Sequence, residues 1–159
     1  MSDAIPFKPA GFHTLTPYFA VHDATAAIEF YKKAFDAEEN SRMDGPGGSI
    51  MHAEIQIGDS VLMLGDEAPE MGSSSPKTIG DSPVGVLIYV EDVDAAFAQA
   101  VDAGAEVEMP PMDMFWGDRF CKVKDPFGHK WSLATHVEDV DDEEMAKRAA
   151  AMAAEMAGG

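Results

Sequence analysis

Ala20-Val21-His22-Asp23, leading into a helical pattern with Phe30 and Tyr31, returns as Tyr89-Val90-Glu91-Asp92, leading into a helical pattern with Phe97. Further along, Ile57-Gly58-Asp59-Ser60-Val61-Leu62-Met63-Leu64 is answered by Phe127-Gly128-His129-Lys130-Trp131-Ser132-Leu133-Ala134. The first pair is offset by 69 residues (Asp23 to Asp92) and the second by 70 (Gly58 to Gly128). Two independent landmarks at nearly one spacing indicate a duplicated unit, which restricts the fold more than local propensity does.

Working outward from the first copy, residues 14 to 21 alternate as a strand, with Pro17 marking an edge or a strand start. Asp23 is placed to cap a helix in which Ala27, Ile28, Tyr31, Ala34 and Phe35 recur at helical spacing. Asp44 to Gly48 is a turn by composition. Met51, Ala53, Ile55 and Ile57 then alternate with His52, Glu54 and Gln56, the pattern of a half-buried strand with one polar face. Gly58-Asp59 reads as a hairpin turn into Ser60 to Leu64. The second copy repeats the order, with a strand at 84 to 90, a helix from about 92 to 103 ended by Gly104, and strand material at 105 to 109. Pro110 and Pro111 are expected to interrupt it before residues 118 to 124 and 130 to 135 resume. Each unit is therefore strand, helix and three strands.

The organisation expected is a domain over residues 1 to 138, with module one at about 14 to 66, a Ser/Gly/Pro-rich linker at about 67 to 83 and module two at about 84 to 138. A unit of about 60 residues alone buries proportionately little surface, so the halves are expected to pack together. Repeated βαβββ modules predict an α+β protein whose curved mixed sheet bends around a groove, with helices outside. Residues 139 to 159 form a separate acidic, alanine-rich tail that favours helix. Met145, Ala149, Met152 and Met156 make a narrow apolar stripe on it. That stripe either docks on the domain or a second subunit, or belongs to a frayed solvated helix.

Composition excludes several classes. The 159 residues are 46% hydrophobic and 25% charged, ordinary for a soluble protein. No apolar run approaches the roughly 20 residues that span a bilayer, and Met1 to Ala10 lacks the regions of a signal peptide, so cytoplasmic residence without membrane association is expected. Net charge is −18, from 29 acidic and 11 basic residues. Such a surface repels phosphate backbones, which argues against nucleic acid, and it either attracts cationic small molecules or is a solubilising, salt-adapted surface. One cysteine, Cys121, rules out an intramolecular disulfide; it is either a packed thiol or a nucleophile set among Arg119, Lys122 and Lys124. No Gly-x-Ser-x-Gly elbow and no phosphate-binding glycine loop is present.

Val21-His-Asp23 with Ala27-Ile-Glu-Phe-Tyr-Lys-Lys-Ala-Phe35, Val90-Glu-Asp-Val-Asp94, Ala103-Gly-Ala105 and above all Asp125-Pro-Phe-Gly-His-Lys-Trp131 resemble the vicinal oxygen chelate superfamily. That superfamily includes glyoxalase I, extradiol dioxygenases, fosfomycin-resistance and bleomycin-binding proteins, and the resemblance covers roughly residues 14 to 138. It implies a divalent metal held by His, Glu and occasional Gln at equivalent points of the two modules, polarising a substrate with two adjacent oxygens. Those points fall at Thr16, Met63, Gly85 and Ser132. Two hydroxyls, a thioether and a glycine do not make a ligand set for a hard or borderline cation. A one-residue slip turns each side chain to the opposite face.

Without a metal, the alternation places Thr16, Tyr18, His52, Glu54, Gln56, Leu87, Tyr89 and Ser132 on the concave face, an aromatic and apolar wall with a few polar groups. Glu54 either binds a cationic group, acts as a general base, or pairs with Arg42 or Arg119. The loop Met109-Pro-Pro-Met-Asp-Met-Phe-Trp-Gly-Asp-Arg119, with an apolar cluster of Met109, Met112, Met114, Phe115 and Trp116, either closes over a ligand or packs in the core or an interface, and Asp118 with Arg119 reads as a local ion pair. The leading expectation is a non-enzymatic, metal-independent binder of a small organic, cationic ligand, homodimeric and without a cofactor, sequestering a drug or metabolite. One alternative is a metal-dependent glyoxalase-like lyase or dioxygenase using His52 and Glu54, with His129 and His136 as further ligands. Under the bland reading of those two, His129 is a polar turn residue and His136 closes a strand. Another alternative is a structural or regulatory protein with a vestigial groove, contacting its partner through the C-terminal helix.

Overall fold

The repeated aspartate caps a helix in each copy. In a computed structural model that describes residues 4–158, the Asp23 carboxylate accepts from the Ala26 amide and that of Asp92 from the Ala95 amide, both at 3.1 Å. Each satisfies a helix-terminal N–H that has no partner within the helix. Met1–Asp3, the start of the segment weighed above as a signal peptide, and Gly159, the end of the tail, lie outside the described residues.

The chain runs β1 (Tyr18–Val21), α1 (Ala24–Phe35), β2 (Glu38–Asp44), β3 (Ile50–Ile57), β4 (Ser60–Asp66), a short α2 (Pro76–Ile79), β5 (Gly85–Tyr89), α3 (Val93–Ala103), β6 (Glu106–Asp113), β7 (Asp118–Lys124), β8 (Lys130–His136) and α4 (Asp142–Gly158). The α+β class and the two βαβββ modules are therefore present. They form two four-stranded mixed sheets, ordered β1-β4-β3-β2 and β5-β8-β7-β6, with the first pair of each parallel and the rest antiparallel. The chain divides into two units, Met1–Pro83 with Pro126–His129, and Val84–Asp125 with Lys130–Gly159.

A second correspondence appears only in three dimensions. Asp66 Oδ1 accepts from the Ala24 amide, the first of α1, at 2.9 Å. At the equivalent point Thr135 Oγ1 accepts from the Val93 amide, the first of α3, at 2.9 Å. Each module thus ties its helix to the strand beside its first strand, by a carboxylate in one and a hydroxyl in the other.

In the first unit α1 buries Ala24, Ala27, Ile28, Tyr31 and Ala34 on one face, over Phe19, Val21, Ala53, Ile55, Leu62 and Leu64 of the sheet. Burying each large aliphatic side chain contributes about 1.5 to 3 kcal/mol. Phe127 joins this core, with its ring centroid 6.0 Å from that of Phe30. In the second unit Val93 and Ala100 of α3 and the strand residues Cys121, Val123, Trp131 and Leu133 are buried, and the Trp131 indole donates to Asp125 at 2.9 Å.

Several expectations need correction. The first strand is shorter than residues 14 to 21: it begins at Tyr18, with Pro17 adding only its carbonyl, which accepts from the Met63 amide at 3.0 Å. Pro110 and Pro111 do not end their strand: β6 is an edge, so an imino nitrogen forfeits no inner ladder bond, and the register shifts between Val107, Met109 and Met112 absorb them. The stretch after β4, expected as a linker, carries the short helix α2 and its own contacts. Ser75 is fully buried, and Thr78 donates to Glu67, whose carboxyl is held low by its hydrogen bonds to Ser75 and Thr78. On α4, Met145 and Ala149 are half-buried while Met152 and Met156 stand exposed. No described helix is long and apolar enough to cross a membrane.

Candidate functional site

Strand alternation sends β3 side chains to two faces of the first sheet. Ala53 and Ile55 go under α1, while His52, Glu54 and Gln56 point away from it. Register extends that open face sideways, because Glu54 pairs with Met63 of β4 and with Ser41 of β2, and Met63 pairs with Tyr18 of β1. Cross-strand partners share a face, so Tyr18, Met63 and Glu54 form one row, with His52 beside them.

The polar groups in that row are connected. The Tyr18 hydroxyl lies 3.0 Å from His52 Nδ1, and His52 Nε2 lies 3.3 Å from Glu54 Oε1. The His52 and Glu54 side chains are 28% and 24% exposed and Tyr18 is 59% exposed, so solvent and solutes reach all three. Gln56 is held by Asn40, which donates to its Oε1, and by Gly58 O, to which its amide donates at 3.1 Å. Thr16 precedes β1 and turns its hydroxyl to His13 O. Of the alternatives open for Glu54, pairing with Arg42 or Arg119 does not form. Arg42 projects to the helix side and binds Glu39, and Arg119 binds Asp94 and Asp113.

The open face of the second sheet carries Leu87, Tyr89, Ser132 and Lys122, the last two being cross-strand partners. At one end of it sits Asp118, 3% exposed. Its Oδ2 accepts from the Tyr89 hydroxyl at 2.9 Å and from the Trp116 indole at 3.2 Å, and its Oδ1 lies 2.7 Å from His136 Nδ1. Burial alone would raise this carboxyl, but the hydrogen bonds from His136, Tyr89 and Trp116 outweigh it and hold it below the usual range. The same bond, with burial, raises the Tyr89 hydroxyl. The expected Asp118–Arg119 ion pair does not form, because neighbours on a strand point to opposite faces.

The loop expected from Met109 to Arg119 is reduced to the link between β6 and β7, which holds Trp116. Met114–Gly117 is a tight turn, Gly117 O accepts from the Val137 and Glu138 amides, and Arg148 of α4 donates to Phe115 O. Cys121 is fully buried, with its thiol pushed up by desolvation, which fits packing and not nucleophilic attack. His129 stacks on Phe19 at 3.9 Å and donates to Ala20 O, and both nitrogens of His136 are engaged by Asp118 and Asp139. The rings suggested as ligands alongside His52 and Glu54 are committed elsewhere.

The superfamily's metal does not fit the residues present. Thr16 is bonded to the backbone, Met63 is a thioether facing Glu54, Gly85 has no side chain and Ser132 faces Lys122. Within either unit, no group of three or more described His, Cys, Asp or Glu side chains is placed to hold a metal ion.

A sequence profile for the Glyoxalase/Bleomycin resistance protein/Dioxygenase superfamily matches residues 12–133, and the chain belongs to that family. An uncharacterised Mycobacterium bovis protein, Mb0911c, is 44% identical over 145 residues, covering 89% of this chain and 93% of that one. The X-ray structure of the Arabidopsis thaliana At5g48480 product is 32% identical, with a TM-score of 0.63 over 77% of this chain and 98% of that one. TioX from Micromonospora sp. ML1 is 26% identical, with a TM-score of 0.61 over 77% of this chain and 98% of its own.

Of the residues singled out from the sequence, Tyr18, His52 and Glu54 lie together on the open face of the first sheet, while Tyr89 and Trp116 belong to a cluster around Asp118 that the sequence did not suggest. Its members come from positions 89, 116, 118, 136 and 139: strand register brings Tyr89, Asp118 and His136 together, the Met114–Gly117 turn brings Trp116, and the segment after β8 brings Asp139.

Proposed function

We propose that this protein binds a small organic cation on the open face of its first sheet, without a catalytic divalent metal, and serves to sequester it. The observation that carries this reading is the row of Tyr18, Met63 and Glu54 with His52, which offers an aromatic ring, a thioether and a carboxylate on one accessible surface. An aromatic face and a carboxylate both favour a cation, and methionine adapts to varied apolar groups. A net charge of −18 supports the same sign of ligand and opposes phosphate-bearing partners. The four ligand-poor points support metal independence. Residence in the cytoplasm as a homodimer completes the proposal, and sedimentation equilibrium tests the dimer.

Thermal melting against a library of aromatic and aliphatic amines tests the binding. A ligand at a hundred times its Kd stabilises by about 2.7 kcal/mol, or roughly 5 to 11 °C at this chain length. Glu54→Gln is expected to remove most of the shift. No shift across the library, or stoichiometric metal in protein purified without added metal, would overturn the proposal.

A further inference from the structure

With His52 as the neutral imidazole, its two contacts set which atoms of this face donate and which accept. An ionised carboxylate only accepts, so the contact between His52 Nε2 and Glu54 Oε1 places the ring proton on Nε2. The neutral ring then carries its lone pair on Nδ1, and the Tyr18 hydroxyl, 3.0 Å away, donates to it. Its hydrogen is turned inward, so the exposed side of the Tyr18 oxygen presents lone pairs. Glu54 presents lone pairs as well. Gln56, the next polar group along β3, has its amide tied to Asn40 and Gly58. Tyr18 and Glu54 are thus two acceptors held at opposite ends of one imidazole ring.

We propose that this face recognises its cation through N–H donors, selecting protonated amines and guanidinium groups over permethylated ammonium groups of equal charge. Tyr18 is the selecting residue. A trimethylammonium group keeps the charge for Glu54 and the attraction to the Tyr18 ring, yet has no hydrogen for either oxygen. It leaves acceptors covered and unpaired, which costs affinity. This inference rests on the binding reading above and adds the chemistry of the ligand's charged group.

The test uses the full chain, labelled with ¹⁵N and titrated in separate samples with phenethylammonium and phenethyltrimethylammonium. The primary ammonium is expected to bind about threefold to tenfold more tightly, the worth of one hydrogen bond. Tyr18→Phe should weaken only the primary ammonium and bring the two affinities together. Glu54→Gln should weaken both. Equal affinities in the unsubstituted protein, or a preference for the trimethylated cation, overturn donor selection while leaving cation binding intact if Glu54→Gln still weakens both. A preference that survives Tyr18→Phe overturns the assignment to Tyr18. Absence of chemical-shift change with either cation overturns this inference together with the binding reading.

Discussion

Asp118 Oδ1 lies 2.7 Å from His136 Nδ1 across the β7–β8 pair, and the far side of the same ring, Nε2, lies 2.7 Å from Asp139 Oδ1. Both ring nitrogens face acceptors, so the doubly protonated imidazolium fits and the neutral ring leaves one contact without a proton. The hydrogen bonds to Asp139 and then Asp118 raise the His136 pKa above its ordinary value. A group whose pKa is raised by folding stabilises the folded state fully below its unfolded pKa, and that stability is lost as pH rises through the folded one. Melting temperature should therefore decline from the ordinary imidazole range upward. His136→Gln should flatten that decline, and NMR titration of the His136 ring should place its midpoint above that of a free imidazole. A midpoint at or below the free value would contradict the two-carboxylate geometry.

The opposite limb belongs to Asp118. Its folded pKa is lowered, so its contribution is present above the ordinary carboxyl range and is lost as pH falls through the lowered value. Asp118→Asn keeps the shape but supplies one carbonyl where Tyr89, Trp116 and His136 now share two charged oxygens. The expected loss is about 1 to 3 kcal/mol in urea unfolding at neutral pH, with a shift in Trp116 fluorescence. Unchanged stability and fluorescence would show that the cluster does not organise the turn.

The fold was legible because duplication left the same signals twice: Asp23 and Asp92 as caps, and Gly58 and Gly128 before parallel-paired strands. The candidate row in β3 was legible for a related reason, since alternation of Met51 to Ile57 assigns His52 and Glu54 to one face without knowledge of any partner. The bonding partners were not legible. Glu54 could meet Arg42 or Arg119 until the ladders put Arg42 on the helix side and Arg119 beside Asp94 of α3. Asp118 beside Arg119 suggested a pair that strand geometry forbids, and Pro110-Pro111 suggested a break that an edge strand tolerates. Local pattern fixes faces, whereas pairings need register.

Asp66 and Thr135 predict matched defects. Each side chain satisfies the first amide of its module's helix, and Thr135 also donates to Val90 O at 2.9 Å. Thr135→Val keeps the volume and removes both bonds, and should cost about 1 to 3 kcal/mol, with faster amide exchange at the start of α3. Asp66→Ala should do the same for α1, and also release the Ile50 amide that Asp66 Oδ2 accepts from at 2.7 Å. Exchange changes confined to one module in each variant are expected, and a global change in both would deny the local role.

Gly117 is a position where a side chain has no room. Its φ is +100°, and an added Cβ would fall 2.1 Å from Glu138 O. Backbone cannot yield as a flexible side chain does, and the left-handed conformation is itself unfavourable for alanine. Gly117→Ala should destabilise by about 1 to 3 kcal/mol and disturb Trp116 fluorescence, read by equilibrium unfolding. Alanine at Gly85, where the nearest atom to an added Cβ is 4.0 Å away, is the control and should change little.

Helix α4 is fastened at one end only. Arg148 makes a two-pronged contact with Glu138 at 3.0 and 2.7 Å and a third with Glu144 at 3.0 Å, yet no α4 residue is buried and Ala150 to Gly158 are exposed throughout. Exposed ion pairs are worth about 0 to 1 kcal/mol each, and a helix of this length is marginal without tertiary packing. Hydrogen exchange should accordingly find the amides of Ala150 to Gly158 nearly unprotected, while those of Tyr31 and Leu64 exchange only on global unfolding. Arg148→Ala should extend the loss of protection back toward Asp142 and reduce the helical circular dichroism, with little change in the melting of the sheets. Strong protection beyond Ala150 in the unsubstituted protein would mean that the Met152 and Met156 stripe is covered, and its dependence on protein concentration would say whether a second copy covers it.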